Sequence, residues 1–168
     1  MRKLEARVTT DDSAPTLPVS ATIWLIDGFN VLHASVLGGR DRTQWWNESH
    51  RAELLGRIRE FDAPGAEIWV VFDGPGTETE SAASPPTERR ASMRTVFAPS
   101  ADDWLVARVR ATPDPARVAV VTGDRRVAGR ARHWGANVVT PGEFIARCGR
   151  AAETASDPRS GGGPLPKE

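Results

Sequence analysis

Three apolar runs in this chain each end on an aspartate beside a glycine: Asp27-Gly28, Asp73-Gly74 and Gly123-Asp124. A fourth acidic position, Asp102-Asp103, follows Pro99-Ser100-Ala101. Carboxylates are hard oxygen donors, and magnesium is usually held by one or two of them with water and phosphate completing its shell. Two such ions about 4 Å apart can stabilise both the attacking and the leaving oxygen of a phosphodiester. Aspartates converging from separate strands would therefore suit hydrolytic phosphoryl chemistry. Each also has a plain structural explanation. Asp-Gly pairs favour turns, Asp124 can cap the helix that follows it, and Ser100 with Asp103 fits an N-terminal capping pattern. Asp102 has the weaker structural reason, a helix-dipole contribution of a few tenths to about 1 kcal/mol. Asp102 is therefore the better candidate for chemistry. Asn30 can cap a helix starting near Val31, or its amide can orient a metal-bound water. Thr122 can be an ordinary strand residue, or its hydroxyl can bond the Asp124 carboxylate.

The elements that must position these residues are legible from apolar periodicity. Thr22-Ile23-Trp24-Leu25-Ile26, Glu67-Ile68-Trp69-Val70-Val71-Phe72 and Arg117-Val118-Ala119-Val120-Val121-Thr122 are continuous, β-branched runs. Such runs are expected of strands covered on both faces in a parallel sheet. Weaker strands are predicted at Thr95-Val96-Phe97 and Ala136-Asn137-Val138-Val139. Between them, helical spacing appears over Glu48 to Phe61, Asp102 to Arg110, Arg126 to Trp134 and, briefly, Glu143 to Cys148. Strands alternating with helices predict a doubly wound α/β domain. In that architecture ligands bind beyond the carboxyl ends of the strands, which is where the aspartates fall.

The chain's 168 residues leave room for one ordinary domain with some length over. The domain is expected at 21–150, between a flexible polar leader at 1–20 and a disordered Gly- and Pro-rich tail at 151–168. A single cysteine, Cys148, excludes an internal disulfide and argues against structural zinc. The N-terminus lacks the apolar segment of a secretory signal, and no stretch approaches the roughly 20 apolar residues of a membrane span. A soluble, cytoplasmic protein is expected.

Formal charge is zero, but it is unevenly spread. Residues 21–83 hold five arginines against ten acids, and residues 84–150 hold twelve arginines against six, which makes the second half the basic one. Arginine's planar fork suits phosphate oxygens. Arg125 and Arg126 directly follow Asp124, with Arg130 one turn after Arg126. Arg89, Arg90 and Arg94 stand in a Pro- and Ser-containing segment that reads as a mobile loop over the site. Of Trp45-Trp46, one is expected to pack on the core, while Trp46 can stack on unpaired bases at about 1–3 kcal/mol each. Trp24 and Trp69 lie within strands and are assigned to the core.

In this order and spacing, Leu25-Ile26-Asp27-Gly28-Phe29-Asn30-Val31-Leu32, Val71-Phe72-Asp73-Gly74, Ser100-Ala101-Asp102-Asp103 and Val121-Thr122-Gly123-Asp124-Arg125 resemble NYN domains. These are relatives of PIN nucleases, and the resemblance is to the bacterial YacP-like branch in particular. It covers about residues 22–147. The resemblance implies a PIN-like three-layer α/β domain, with a central parallel sheet and helices on both faces. It also implies an acidic pocket for magnesium or manganese and endonucleolytic cleavage of RNA. Family metal ligands carry over onto Asp27, Asp102 and Asp124, with Asn30 and Thr122 beside them, and Asp73 matches the second-strand carboxylate. Two departures stand out. Pro99-Ser100 occupy the places of a common Glu-Thr before the third acid, and Gly123 replaces a serine before the fourth. The expected partner is RNA, free or presented by a ribosome, with no membrane involved. The competing expectation is a catalytically weak or inactive NYN-fold module that binds RNA or a protein. A phosphotransferase of another type would want an Asp-x-Asp nucleophile pair or a Gly-rich phosphate loop, and neither occurs.

Overall fold

The computed structural model describes residues 21–35, 48–74, 79–80 and 91–154. The expected leader, Trp45, Trp46, Arg89 and Arg90 lie outside them. The elements run β1 (Ile23–Asp27), α1 (Gly28–Ser35), α2 (Glu48–Arg59), β2 (Glu67–Asp73), β3 (Thr79–Glu80), β4 (Ser92–Ala98), α3 (Ala101–Ala111), β5 (Val118–Val121), α4 (Arg125–His133), β6 (Asn137–Val139) and α5 (Pro141–Thr154). The sheet order is β3-β4-β2-β1-β5-β6. Five strands are mutually parallel, and β3 pairs antiparallel on the edge of β4. This is the expected α/β architecture with one added edge strand. Two residues, Thr79-Glu80, carry too little apolar pattern to announce a strand.

Helices α1, α2 and α5 pack together on one face, and α3 and α4 on the other. The first face closes over an aromatic cluster in which Trp24 meets Phe61 edge-on at 4.8 Å and Phe61 meets Phe144 at 4.9 Å. The second buries Leu25, Val71 and Val120 against Leu105, Val109 and Val127. Burying each such side chain contributes about 1.5–3 kcal/mol. Trp24 and Trp69 are both buried, as assigned.

Helix boundaries differ from the sequence reading for identifiable reasons. Asp27 Oδ1 accepts from the amide of Asn30 at 3.2 Å, so α1 starts at Gly28 instead of near Val31. The last helix is long, not short. Thr140 and Glu143 form a reciprocal capping box around Pro141, with Thr140 N and Oγ1 both donating to Glu143 Oε2 at 2.8 and 2.7 Å. From there α5 continues to Thr154, past the expected edge at 150, because Ala151-Ala152-Glu153 are good helix formers. Arg94 is not in a loop. It sits within β4, with its guanidinium 4.9 Å from the Trp69 ring centre. No helix among the described residues is long and apolar enough to cross a membrane.

Candidate active site

Strand parity aims the acidic residues. In β1 and β2 alternate side chains share a face, so Asp27 falls on the side of Leu25 and Asp73 on the side of Val71. Leu25, Val71 and Val120 all belong to the core beneath α3 and α4. Thr122, two residues past Val120, continues that side. The register pairs Ile26 with Val121, which brings Asp27 and Thr122 level at the top of neighbouring strands. Because β1 leads outward to β2 and β5 leads outward to β6, the crevice between β1 and β5 is the topological switch point.

A set of hydrogen bonds closes that crevice. The Asn30 side-chain amide donates to Asp27 Oδ2 at 3.1 Å, and its Oδ1 accepts from the Gly123 amide at 3.0 Å. The Thr122 hydroxyl donates to Asp27 Oδ2 at 3.4 Å and accepts from the Asp124 amide at 3.1 Å. Thr122 therefore serves Asp27, and meets Asp124 through its backbone instead of its carboxylate. Glycine at 123 is what lets Asn30 come close, since a Cβ there would stand 2.7 Å from Asn30 Oδ1. Gly28 is required in the same way by the Phe72 ring, 2.4 Å from where its Cβ would be.

Each strand-end aspartate also sits at a helix N-terminus. Asp27 meets α1, Asp73 Oδ1 accepts from Ala101 N at 2.8 Å, and Asp124 Oδ1 accepts from Arg126 N and Val127 N at 2.7 and 3.2 Å. Ser100, not Asp73, is the sequence-local cap of α3, through Asp103 N at 3.2 Å. The capping and the chemical readings of these aspartates are thus compatible, because positive helix ends favour the anionic carboxylate. The bond from Asp73 to α3 spans 28 residues, and no local sequence signal announces it.

The carboxylates feel one another. Asp27 is 4% exposed, and among the described residues Asp27 and Thr122 are the buried polar side chains. Burial raises the Asp27 carboxyl above its ordinary 3.8, the Asp102 charge adds to the rise, and the bonds from Asn30 and Thr122 oppose it. Asp102, exposed on the first turn of α3, is raised too, first by partial desolvation and then by the charges of Asp124, Asp73 and Asp103, with Arg130 opposing. Asp103 is directed elsewhere. Its side chain pairs with Arg130 at 2.9 Å, and that bond lowers its pKa. Arg125 and Arg126 are exposed on the first turn of α4, beside Asp124.

Among the described residues no three His, Cys, Asp or Glu side chains are grouped closely enough to hold a metal ion by themselves. A magnesium ion that keeps several waters needs only one or two carboxylates, and the donor set here fits one. Asn30 and Thr122, which bond Asp27, are neutral donors, so a cation would meet a buried carboxyl that also lies in the field of Asp102.

Residues 24–160 match the YacP-like NYN domain, which is a PIN-like nuclease fold. The chain belongs to the YacP-like NYN domain family. The crystal structure of a mutant Rae1 (YacP) from Bacillus subtilis is similar in fold, with a TM-score of 0.58 at 20% sequence identity, covering 79% of this chain and 77% of that one. No curated protein matches the chain. For this NYN domain, family membership and fold agree with the resemblance carried by the four acidic motifs.

Proposed function

We propose that this NYN domain is a metal-dependent endoribonuclease acting in the cytoplasm on RNA phosphodiesters. The observation that carries the reading is the buried, clipped carboxylate of Asp27, facing the electrostatically linked Asp102, Asp73 and Asp124 at the switch point. Asp27, Asp102 and Asp124 would supply the one or two carboxylates that Mg2+ or Mn2+ needs, with water completing the shell. Such a cation, when bound, supplies Lewis acidity for a water nucleophile and offsets the charge of the phosphate. Asn30 and Thr122 fix the orientation of Asp27, and Asp73 holds the start of α3 and with it Asp102. Arg125 and Arg126 stand at the positive end of α4, where cations are disfavoured by about 0.3–1 kcal/mol, a placement that a neighbouring phosphate would relieve. Arg130, one turn further, is paired with Asp103 and can exchange that exposed partner for phosphate at little cost.

The second reading, an inactive module that binds RNA or a protein, draws on Asp73 and Asp124 already having capping roles. One experiment separates the two. Purified protein is incubated with end-labelled single-stranded RNA and matching DNA in magnesium, manganese or EDTA, beside Asp27→Asn and Asp124→Asn. Metal-dependent RNA cleavage leaving 5′-phosphate and 3′-hydroxyl ends, lost in both variants, is expected. Products ending in 2′,3′-cyclic phosphate would overturn the hydrolytic mechanism. Binding without any cleavage would support the inactive module.

A further inference from the structure

Helices α3 and α4 flank an open groove of about 700 Å³ that starts beside the acidic site and runs away from it. Its upper end holds the Arg130–Asp103 pair, its floor is Val106, Ala107 and Ala111, and its far end is Arg110 and Trp134. Asp103 to Arg110 is seven residues of helix, or about 10 Å at 1.5 Å per residue. Trp134 is the exposed large hydrophobic among the described residues, at 42%. The indole is held in place. It caps the end of α4, and Gly135, at φ +92, turns the chain away immediately after it. The Arg110 guanidinium lies 5.2 Å from the indole centre, and His133 meets the ring edge-on at 5.4 Å. Arg126, Arg130 and Trp134 recur every fourth residue and so share one stripe of α4, leading from Asp124 to the indole.

We infer that the α3–α4 groove is a subsite for single-stranded RNA leading out of the cleavage centre, with Trp134 stacking a base and Arg110 holding the adjoining phosphate. Two features favour a nucleic-acid strand over a protein. An aromatic face paired with arginine is the combination that binds unpaired bases without sequence choice. The groove also begins at the Arg130–Asp103 pair, one residue along α3 from Asp102, and carries an arginine at each end. A duplex keeps its bases stacked on each other and offers no face to the indole, so the subsite selects unpaired RNA.

The inference rests on the ribonuclease reading but can fail separately from it. Binding of a fluorescein-labelled ten-nucleotide oligoadenylate RNA is followed by anisotropy in EDTA, where no cleavage is needed. Trp134→Ala should weaken binding about tenfold, within the range a single base stack supports, and Trp134→Phe should restore most of it. Arg110→Ala should also weaken binding and reduce the slope of log affinity against log salt by about 0.7, whereas Trp134→Ala leaves that slope unchanged. The same RNA annealed to its complement should not respond to Trp134→Ala. With metal present, Trp134→Ala should raise KM and leave kcat at saturating RNA as it was. The indole is exposed, and melting curves on each variant confirm that the fold is kept.

Wild-type protein that binds through Trp134 yet cuts nothing would keep the subsite and overturn the nuclease. Wild type that cuts RNA while Trp134→Ala and Arg110→Ala leave affinity and KM unchanged would overturn the subsite and assign the patch to a protein partner. No binding of the single strand by the wild type would overturn it as well.

Discussion

Asn30→Ala tests whether the clip across the β1–β5 crevice is what holds the buried carboxylate. The substitution leaves the backbone bond from residue 30 to Asp27 Oδ1 in place and removes two others. Gly123 is exposed, so water can replace the Asn30 carbonyl, and that loss should cost about 1 kcal/mol. Asp27 is 4% exposed and keeps only the longer Thr122 bond on Oδ2. Losing a donor to a charged, buried acceptor costs about 1.5–3 kcal/mol. Together the change should be about 2.5–4 kcal/mol, or roughly 10–15 °C in Tm for a domain of this size. Urea unfolding in EDTA at pH 7, followed by tryptophan fluorescence, reads it directly. In an Asp27→Ala background the same substitution should cost only about 1 kcal/mol, because the charge-assisted bond is already gone. The difference between wild type and Asn30→Ala should also narrow on acidification. Burial makes Asp27 take its proton above the usual carboxylate range, and the neutral acid needs the amide donor less. A loss below about 0.5 kcal/mol, or an equal loss in the Asp27→Ala background, would refute the clip.

Metal and pH should be linked through the same carboxylates. A carboxyl whose folded pKa is raised contributes stability that is complete below its unfolded value of 3.8 and lost as pH rises through the folded value. Metal-free wild type should therefore lose stability relative to Asp102→Asn as pH rises from 3.8 through the raised folded value. Magnesium or manganese should restore about 2.7 kcal/mol at a hundredfold excess over Kd, and calorimetry at pH 7 showing no metal effect would count against the site. Thr140→Ala should destabilise the domain by about 1 kcal/mol at neutral pH through loss of the α5 cap. Because the Thr140 bonds lower the Glu143 pKa, that penalty should be present above 4.5 and fade as pH falls through the lower folded value, which chemical denaturation across pH would reveal. Cys148 is 3% exposed and its thiol is pushed up to about 12 by burial, so a disulfide reagent should label it only on unfolding. Rapid labelling of the folded protein would contradict the packing of α5.

The three central strands were readable because strands covered on both faces must be apolar without interruption. The aspartates ending them were visible for the same reason, as abrupt polar stops to buried runs. Helix ends were harder. The start of α1 depends on Asp27 turning back to Asn30, and the length of α5 on a capping box whose Thr140 and Glu143 lie in plain sequence view but outside any apolar pattern. The edge strand β3 exists only because β4 offers it an unpaired side. Arg130 and Trp134 stand close in the sequence as Arg130-Ala131-Arg132-His133-Trp134, yet the helical period there gives no hint that the indole stays exposed or that Arg110 reaches it from α3.

Sequence alone determined the alternation of strands and helices, the family, and the four acidic positions, because those depend on local periodicity and on residue types at strand ends. Tertiary structure decided which partner each acid meets. The Asp73 carboxylate reaches Ala101 across 28 residues, Thr122 reaches Asp27 across 95, and the Gly123 amide donates to Asn30 across 93 only because residue 123 lacks a Cβ. Asp102 and Asp103 are neighbours of identical chemistry, and their helical offset sends one into the field of the site and the other to Arg130. Those assignments arise from chain crossings that set distances between remote residues, and distance is what electrostatics and hydrogen bonding depend on.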